Sequence, residues 1–338
     1  MRPASRNMRA DFCKPGWRPD EARRVKPGPK RMSAIDILSI GEPMVEFNQT
    51  RPGEPDYLQG YGGDSSNLAI AAARSGARVA YVTRLADDEF GRLFLALWKQ
   101  EGVDTRGVAI QAQAYTAVYF VKHERAGHVF SYLRAGSAAS QMRPENLPLE
   151  LIREARFVHA SGISMAISPG AADSVLAAFE TARAAGAKVS FDANLRLKLW
   201  PLARARALIC AAAGSADYFF PSIDDARALS GLDDAGAILD WAHGLGAKTV
   251  FLKLGADGVI ASDGARREHI AGLRVQAVDT TGAGDCFCGA ALARLAAGDS
   301  LWDAARYANA AAALATTGFG AVSPLPRPAQ VLSLLQAP

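Results

Sequence analysis

The sequence predicts an α/β protein in which helices cover both faces of a mostly parallel β-sheet, with a small β lid attached to it. From Ile35 onward, short apolar runs alternate with helical patterns, and this repeated order is typical of parallel sheets covered on both sides. Two stretches, near residues 43–62 and 112–134, have the pattern of hairpins and do not fit inside such a sheet. The chain of 338 residues is 49% hydrophobic, which is enough to bury a large core.

The first half of the chain begins with two strand and helix pairs. Strand-like apolar runs are "IDILSIGE" (35–42) and "RVAYVTRLA" (78–86). Helical spacing is present in "SSNLAIAAARSG" (65–76) and "FGRLFLALWKQEG" (90–102), and each of these segments ends in a glycine. The pattern changes in "YTAVYFVKHERAGHVFSYLR" (115–134), where aromatic and β-branched residues flank "ERAG". That change predicts an antiparallel hairpin between helices.

The second half returns to alternating strands and helices. Its strand-like runs are "RFVHASG" (156–162), "KVSFDANLR" (188–196), "ADYFFPS" (216–222), "KTVFLKLGADGV" (248–259) and "GVIASDGARREHIAG" (258–272). Helical patterns cover 171–185, 202–213 and 233–246. In open sheets of this kind, ligands bind beyond the carboxyl ends of the strands, so the loops that follow the strands are expected to carry the chemistry.

The first 31 residues differ in composition from the rest of the chain. They hold ten Lys or Arg against three Asp or Glu, whereas the whole chain has a net charge of +4. A basic arm can bind nucleic acid or a membrane surface. This one contains five prolines and no apolar periodicity, which favours a disordered extension, residues 1–31, ahead of a folded domain at 32–330.

Other sequence features indicate a cytoplasmic protein without nucleic-acid or membrane partners. No segment reaches the ~18 uninterrupted apolar residues of a membrane span. The extension lacks the continuous apolar stretch of a secretory signal. The four cysteines have neither metal-ligand nor disulfide spacing.

The segment "VDTTGAGDCFCGAALARLAAG" (278–298) places a glycine turn and Asp285 directly before a helical pattern. Free backbone N–H groups at a helix start form an anion site. Asp285 at that positive end has two interpretations. It could cap the helix, which stabilises a helix by about 1 kcal/mol. Alternatively, it could take the proton from a hydroxyl that attacks a phosphoryl group held by the amides.

Motifs of other enzyme classes are absent from the sequence. There is no G-x-x-x-x-G-K-[ST], and Phe287 stands where a dinucleotide fingerprint needs glycine. "GISMA" (162–166) breaks the G-x-S-x-G pattern at Ala166, and no H-E-x-x-H is present.

"DTTGAGD" (279–285) together with "GGDSSN" (62–67) resembles the ribokinase-type (PfkB) carbohydrate kinases, and the order of elements matches from Ile35 to Pro326. The resemblance implies a ribokinase-like three-layer α/β/α sandwich with a β lid. It also implies ATP, Mg²⁺ and transfer of the γ-phosphate to a sugar hydroxyl. In that scheme Asp285 is the catalytic base, Asp279 binds substrate, and the anion hole is formed by Gly282, Ala283 and Gly284.

Three further stretches resemble the 2-keto-3-deoxygluconate kinase branch of this family: "GEPMVEFN" (41–48), "YLRAGSAAS" (132–140) and "DANLR" (192–196). A sugar acid needs a cation for its carboxylate, and arginine offers a planar two-pronged match. The resemblance assigns the acid substrate to Gly63, Asn67, Tyr119, Tyr132, Arg134 and Arg196. Arg134 could instead be a solvated side chain at a strand end.

The expected reaction is therefore ATP-dependent phosphorylation of 2-keto-3-deoxygluconate to 2-keto-3-deoxy-6-phosphogluconate. Two alternatives remain open: a neutral-sugar kinase such as a fructokinase or ribokinase, and a non-catalytic sugar sensor. We also expect that the aromatic residues of the lid could form a homo-oligomer contact.

The resemblance places the nucleotide near "LKLGADG" (252–258) and "ARYANAAAALATTG" (305–318). The implied nucleotide-binding residues are Asn194, Ser222, Lys253, Gly255, Gly258, Gly282, Gly284 and Asn309. Many relatives have an N-x-x-E motif that organises water around magnesium, and here Ser222 and Asp225 stand in its place. Asp225 is therefore the expected metal-binding residue, acting through water.

Overall fold

The computed structural model describes residues 35–124 and 127–336, apart from the side chains of residues 127 and 128. The predicted extension, residues 1–31, lies outside the described residues. The strands are β1 (Ile35–Ile40), β2 (Met44–Gln49), β3 (Tyr57–Gly62), β4 (Val79–Ala86), β5 (Asp104–Gln111), β6 (Val118–Glu124), β7 (Gly127–Leu133), β8 (Ala155–Ser161), β9 (Lys188–Asp192), β10 (Tyr218–Phe220), β11 (Thr249–Lys253), β12 (Val259–Ser262) and β13 (Arg267–Ile270).

The helices lie between and after these strands. They are α1 (Asp64–Arg74), α2 (Glu89–Gln100), α3 (Leu149–Glu154), α4 (Gly162–Ala166), α5 (Pro169–Ala184), α6 (Leu202–Ser215), α7 (Ile223–Ser230), α8 (Ala235–Leu245), α9 (Ala283–Ala297), α10 (Leu301–Ala315) and α11 (Pro328–Gln336). Within the described part of the chain, no helix is long and apolar enough to span a membrane.

The main sheet has nine strands in the order β13-β12-β11-β10-β9-β8-β1-β4-β5. The strands from β11 to β5 in this order run parallel, and β12 and β13 add an antiparallel hairpin at one edge. The predicted mostly parallel sheet is thus confirmed, as is its ribokinase-like three-layer α/β/α arrangement.

The sheet is buried on both faces. Neighbouring residues of β1 show this, because Leu38 packs into one hydrophobic cluster and Ile37 into another. The first cluster contains residues of α5, α6 and α8, and the second contains residues of α1, α2, α9 and α10. Strands covered on both faces need apolar residues at successive positions, which explains the continuous apolar runs in the sequence.

A second sheet of four strands, in the order β3-β2-β6-β7, forms the small β lid that the sequence predicts. The pairs β2–β3 and β6–β7 are antiparallel hairpins, and β2 joins them by pairing parallel to β6. The lid has its own small apolar core, made by Met44, Ala117, Tyr119 and Val121 with Phe130 packed against it.

Helix α9 crosses α1 at very close range. A Cβ atom built on Gly289 of α9 would lie 2.5 Å from the carbonyl oxygen of Leu68 in α1, so a larger residue cannot fit at this crossing. Asp285 lies one helical turn before Gly289 and therefore on the same side of α9. The close crossing consequently brings Asp285 beside Asn67, the neighbour of Leu68.

Replacing Gly289 by Ala should force α9 away from α1. We expect this to lower the free energy of unfolding by about 1–3 kcal/mol, as overpacking in a core does, and to lower activity by moving Asp285. Gly244→Ala is the matched control. It lies on helix α8, where a Cβ would have no heavy atom within 4 Å, and we expect a gain of about 0.5–1 kcal/mol. Denaturant unfolding measures both changes, and equal effects would contradict the close crossing.

Candidate active site

A cleft of about 1440 Å³ contains most of the predicted site residues. Its walls come from the lid, from the loops after β9, β10 and β11, and from the start of α9. The predicted residues in these walls are Gly63, Asn67, Tyr119, Tyr132, Asn194, Arg196, Ser222, Asp225, Lys253, Gly255, Gly258, Gly282, Ala283, Gly284, Asp285 and Asn309. Asp279 and Arg134 are not among the residues that line it.

The start of helix α9 provides backbone donors at the cleft. Gly282 precedes the helix, and the first helical hydrogen bond runs from the amide of Cys286 to the carbonyl of Gly282 at 2.8 Å. The amides of Gly284 and Asp285 precede this bond and have no helical acceptor. The amide of Ala283 donates to the carbonyl of Thr280 at 3.2 Å and is therefore engaged, although the sequence predicted it in the anion hole. Two orphan amides at a helix start form a seat for an anion.

The carboxylate of Asp285 accepts a hydrogen bond from Asn67 Nδ2 at 2.9 Å. This partner belongs to another helix, which disfavours the helix-cap interpretation. Burial raises the pKa of Asp285 to about 7, with a further rise from the charge of Asp64, while the hydrogen bond from Asn67 opposes the change. A carboxyl group that titrates near neutral pH is suited to act as a general base.

Two of the other aspartates in the cleft, Asp64 and Asp192, raise the pKa of Asp285 by their charge. Asp64 opens α1, and its Oδ2 accepts a hydrogen bond from Asn194 Nδ2 at 3.0 Å. Asp192 ends β9 and pairs with Lys253, whose Nζ lies 2.8 Å from Asp192 Oδ2. Burial is the largest single influence on the pKa of Lys253 and lowers it, but Asp192, Cys288 and Asp225 together raise it above its usual value. Lys253 therefore keeps its positive charge in the cleft.

The predicted nucleotide-binding side chains also make bonds inside the protein. Ser222 Oγ caps α7 by accepting from the amide of Asp225 at 3.1 Å, and Asn309 Nδ2 donates to the carbonyl of Ala271 at 2.8 Å. Burial raises the pKa of Asp225, and the charge of Asp192 adds to the rise. Among the described residues, no group of three or more His, Cys, Asp or Glu side chains is arranged to hold a metal ion.

The lid and α1 provide the substrate side of the cleft. Asn67 is buried, and its Oδ1 has no hydrogen-bond partner among the residues that the structure describes. Tyr119 donates to Glu46 Oε2 at 2.5 Å, so its hydroxyl already has a partner in the lid. The ring of Tyr132 lies beside that of Tyr119, with centroids 5.9 Å apart. These rings form an aromatic wall of the cleft, and the Tyr119 hydroxyl lies close to Gly62, just before α1.

Arg134, the predicted carboxylate ligand, is paired inside the protein and is not among the residues that line the cleft. Its Nε and Nη2 lie 2.8 and 2.5 Å from Glu42 Oε2, and the Glu42 side chain is fully buried. The guanidinium already has a carboxylate partner within the protein. The interpretation as a solvated arginine at a strand end is also wrong, because the side chain is only 10% exposed.

Asp279, which is predicted to bind substrate, accepts several hydrogen bonds within the protein. Its Oδ1 accepts from the amide and the hydroxyl of Thr281 at 2.9 and 2.7 Å, and its Oδ2 accepts from the amide of Gly320 at 3.0 Å. These bonds hold the glycine turn before α9 against the loop that contains Gly320. Asp279 thus shapes the turn that begins α9.

Sequence reasoning did not select Asp64, Asp192 or Glu42 as site residues. Asp64 and Asp192 stand inside the motifs "GGDSSN" and "DANLR", each at the point where a strand gives way to a loop or helix. An acidic residue at that position was a usable signal. Glu42 carries no comparable signal, because its partner lies 92 residues away.

The fold and this cleft define a class of protein, a kinase of the α/β type that acts on sugars. The chain matches the family described as "pfkB family carbohydrate kinase" over residues 34–328, and it belongs to that family. It is 36% identical over 317 residues to probable fructokinase-4 of Arabidopsis thaliana, an alignment that covers 89% of this chain and 96% of the relative.

Two solved structures share the fold. A fructokinase with bound ATP from Xylella fastidiosa has a TM-score of 0.83 and 28% identity, covering 90% of this chain and 99% of its own. A putative ribokinase II from E. coli in complex with ATP and Mg²⁺ has a TM-score of 0.84 and 25% identity, covering 89% and 99%.

These comparisons correct the predicted substrate. The expected phosphorylation of 2-keto-3-deoxygluconate is wrong, because relatives named as fructokinases match the chain along about 90% of its length. The physical reason agrees with the comparison. The motif "YLRAGSAAS" suggested a sugar acid through Arg134, and that arginine is paired with Glu42 inside the protein.

The environment of Asp285 predicts how the reaction rate depends on pH. Because the base must be ionised, kcat/KM should fall below pH about 7. Asn67→Ala removes the hydrogen bond that favours the charged form, so the acid limb should move to higher pH. Asp64→Asn removes a neighbouring negative charge, so the limb should move to lower pH. The measurement is sugar-dependent ATP consumption across pH, and shifts of both variants in the same direction would rule out this electrostatic account.

Proposed function

We propose that the protein is an ATP-dependent kinase of a neutral sugar and that fructose is its substrate. The observation that carries this proposal is the acidic floor of the cleft, where Asp64, Asp192 and Asp285 meet while Arg134 is held elsewhere by Glu42. Its similarity to fructokinases along most of the chain supports fructose in particular.

The charges of the cleft suit a substrate without a carboxylate. Burial raises the pKa of Asp64, and the charge of Asp64 in turn raises the pKa of Asp285. Ionisation of one of these carboxyl groups therefore already disfavours ionisation of the other. Lys253 is neutralised by Asp192. Arg196 is exposed at the cleft, and its charge acts on Asp64 and Asp225. A sugar acid would add a negative charge to this floor, whereas the hydroxyls of a neutral sugar can donate to carboxylates and amide oxygens.

The chain's own residues supply a base and an anion seat for phosphoryl transfer. Asp285 accepts the proton of the attacking sugar hydroxyl. At the same time the hydroxyl oxygen bonds to the γ-phosphorus of ATP, and the bond between the γ-phosphorus and the leaving ADP breaks. The amides of Gly284 and Asp285 donate to the negative oxygens of the transferring group. Asn67 holds the carboxylate in place and offers its free Oδ1 to a sugar hydroxyl.

ATP and Mg²⁺ are the expected nucleotide and ion. The cleft is large enough for a nucleotide and a sugar together, and the orphan amides at α9 match a phosphate group. Asp225 is the residue that would hold Mg²⁺ through water, with the nucleotide phosphates completing its oxygen ligands. When bound, the ion neutralises charge on the phosphates.

A substrate panel tests this proposal. Purified protein is assayed for ATP consumption with fructose, ribose and 2-keto-3-deoxygluconate, and fructose should give the highest kcat/KM. Asp285→Asn keeps the shape of the side chain and should lower kcat by about 10²–10⁴-fold, the usual contribution of a general base. A preference for the keto acid would refute the neutral-sugar assignment. Sugar binding without any turnover would instead favour the sensor.

A further inference from the structure

Four chain segments join the lid to the main body, before β2, after β3, before β6 and after β7. Glu42 lies at this junction and is 1% exposed. Its Oε2 is held by Arg134, and its Oε1 accepts from Ser137 Oγ at 2.5 Å. Glu42 precedes β2, whereas Arg134 and Ser137 follow β7. The three side chains thus fasten the first and last strands of the lid to each other at its base.

One side of this cluster touches the start of α1. The backbone of Glu42 lies against Gly63, where an added Cβ would be 2.4 Å from the carbonyl oxygen of Glu42. Gly63 also has φ of 98°, which favours glycine, and it immediately precedes α1. Helix α1 begins with Asp64 and carries Asn67, the partner of Asp285. A shift of Glu42 would therefore act on Gly63, and through the first turn of α1 on Asn67, the partner of Asp285.

The other side of the cluster touches the aromatic wall of the lid. The guanidinium carbon of Arg134 lies 5.8 Å from the centre of the Tyr132 ring. Tyr132 stacks on Phe130, with centroids 6.3 Å apart and planes inclined by 11°. Both rings line the cleft. Arg134 therefore contacts a residue of the sugar-facing wall without lining the cleft itself.

A buried ion pair is a costly way to gain stability alone. Burial raises the pKa of Glu42, and the charge of Arg134 and the hydroxyl of Ser137 oppose that rise. Apolar residues of similar size often stabilise a protein as well as a buried pair does, whereas a charged pair can fix one geometry. That property suits a junction that must hold the lid in one position against the start of α1.

We propose that Glu42 and Arg134 are positioning residues that fix the position of the aromatic wall of the lid relative to the start of α1. This inference rests on the proposed function for its kinetic consequence, since the relative position of the aromatic wall and the start of α1 fixes the sugar next to Asp285. Neither residue touches the sugar. Loss of the pair should weaken sugar binding and admit water, so that ATP is hydrolysed without sugar.

Two variants test the proposal. Arg134→Lys keeps a positive charge near Glu42 but loses the two-pronged contact. The double variant Glu42→Gln with Arg134→Met removes both charges, so no lone charge is left buried. Lys122→Met is the matched control, because Lys122 lies on lid strand β6 and pairs with Glu124 at 3.3 Å on the exposed surface.

Both test variants should raise the KM for fructose by about tenfold, which corresponds to about 1.4 kcal/mol of lost binding free energy. The fraction of ATP hydrolysed without sugar should also rise, and kcat should change less than KM. Hydrogen exchange should quicken in residues 57–68 and 118–124 of the same variants. The Lys122→Met control should match the wild type in all three readouts.

The exchange measurement separates this inference from the proposed function. If the wild type does not phosphorylate fructose, the proposed function fails, and exchange in the two segments still decides the role of the pair. If folded Arg134→Lys protein shows wild-type KM, coupling and exchange, the inference is overturned. The same holds if exchange quickens evenly over the whole chain, because that result indicates lost stability without a specific effect on the lid and α1.

Discussion

The hydrogen bond from Asn67 Nδ2 to Asp285 Oδ2, 2.9 Å long, is the interaction on which the site depends. It joins residues that are 218 positions apart in the sequence. The bond is possible because Gly289 lets α9 approach the backbone of α1. It holds the carboxylate beside the orphan amides at the start of α9, so that a proton acceptor and an anion seat lie together. The surrounding sheet and helices serve to bring these two helix starts to one point.

The electrostatics of the cleft follow from that arrangement. Burial and the charge of Asp64 raise the pKa of Asp285, and Asn67 limits the rise. Asp192 and Lys253 form a neutral pair in the same cleft. The floor close to Asp285 is therefore rich in carboxyl groups, and Arg196, exposed at the cleft, is a cation whose charge acts on Asp64 and Asp225. Such a floor binds hydroxyl donors more readily than the carboxylate of a sugar acid, which favours a neutral sugar as substrate.

Much of the fold could be predicted because its rules are local. Strands buried on both faces must be apolar throughout, and the glycine turn before α9 marks a helix start within the sequence itself. Strand β5 was missed because it lies at the edge of the sheet, where only Gly107 is fully buried and most positions are polar or exposed. Helix α7 was missed because it has only eight residues. The role of Arg134 could not be predicted, since the sequence does not show which carboxylate meets an arginine in space.

The central claim is that Asp285 is held in an environment that resists its ionisation, and the pH dependence of stability tests this most directly. The folded-state pKa is raised from 3.8 to about 7, so the native protein binds a proton more tightly than the unfolded chain, and the wild type loses stability as pH rises through this range. Asp285→Asn carries no such charge. Unfolding free energies are measured for both proteins from pH 4 to pH 8. The value for the variant minus that for the wild type should increase as pH rises, by about 1–3 kcal/mol above pH 7. A stability difference that stays constant with pH, or one that favours the wild type more at high pH, would contradict the raised pKa of Asp285.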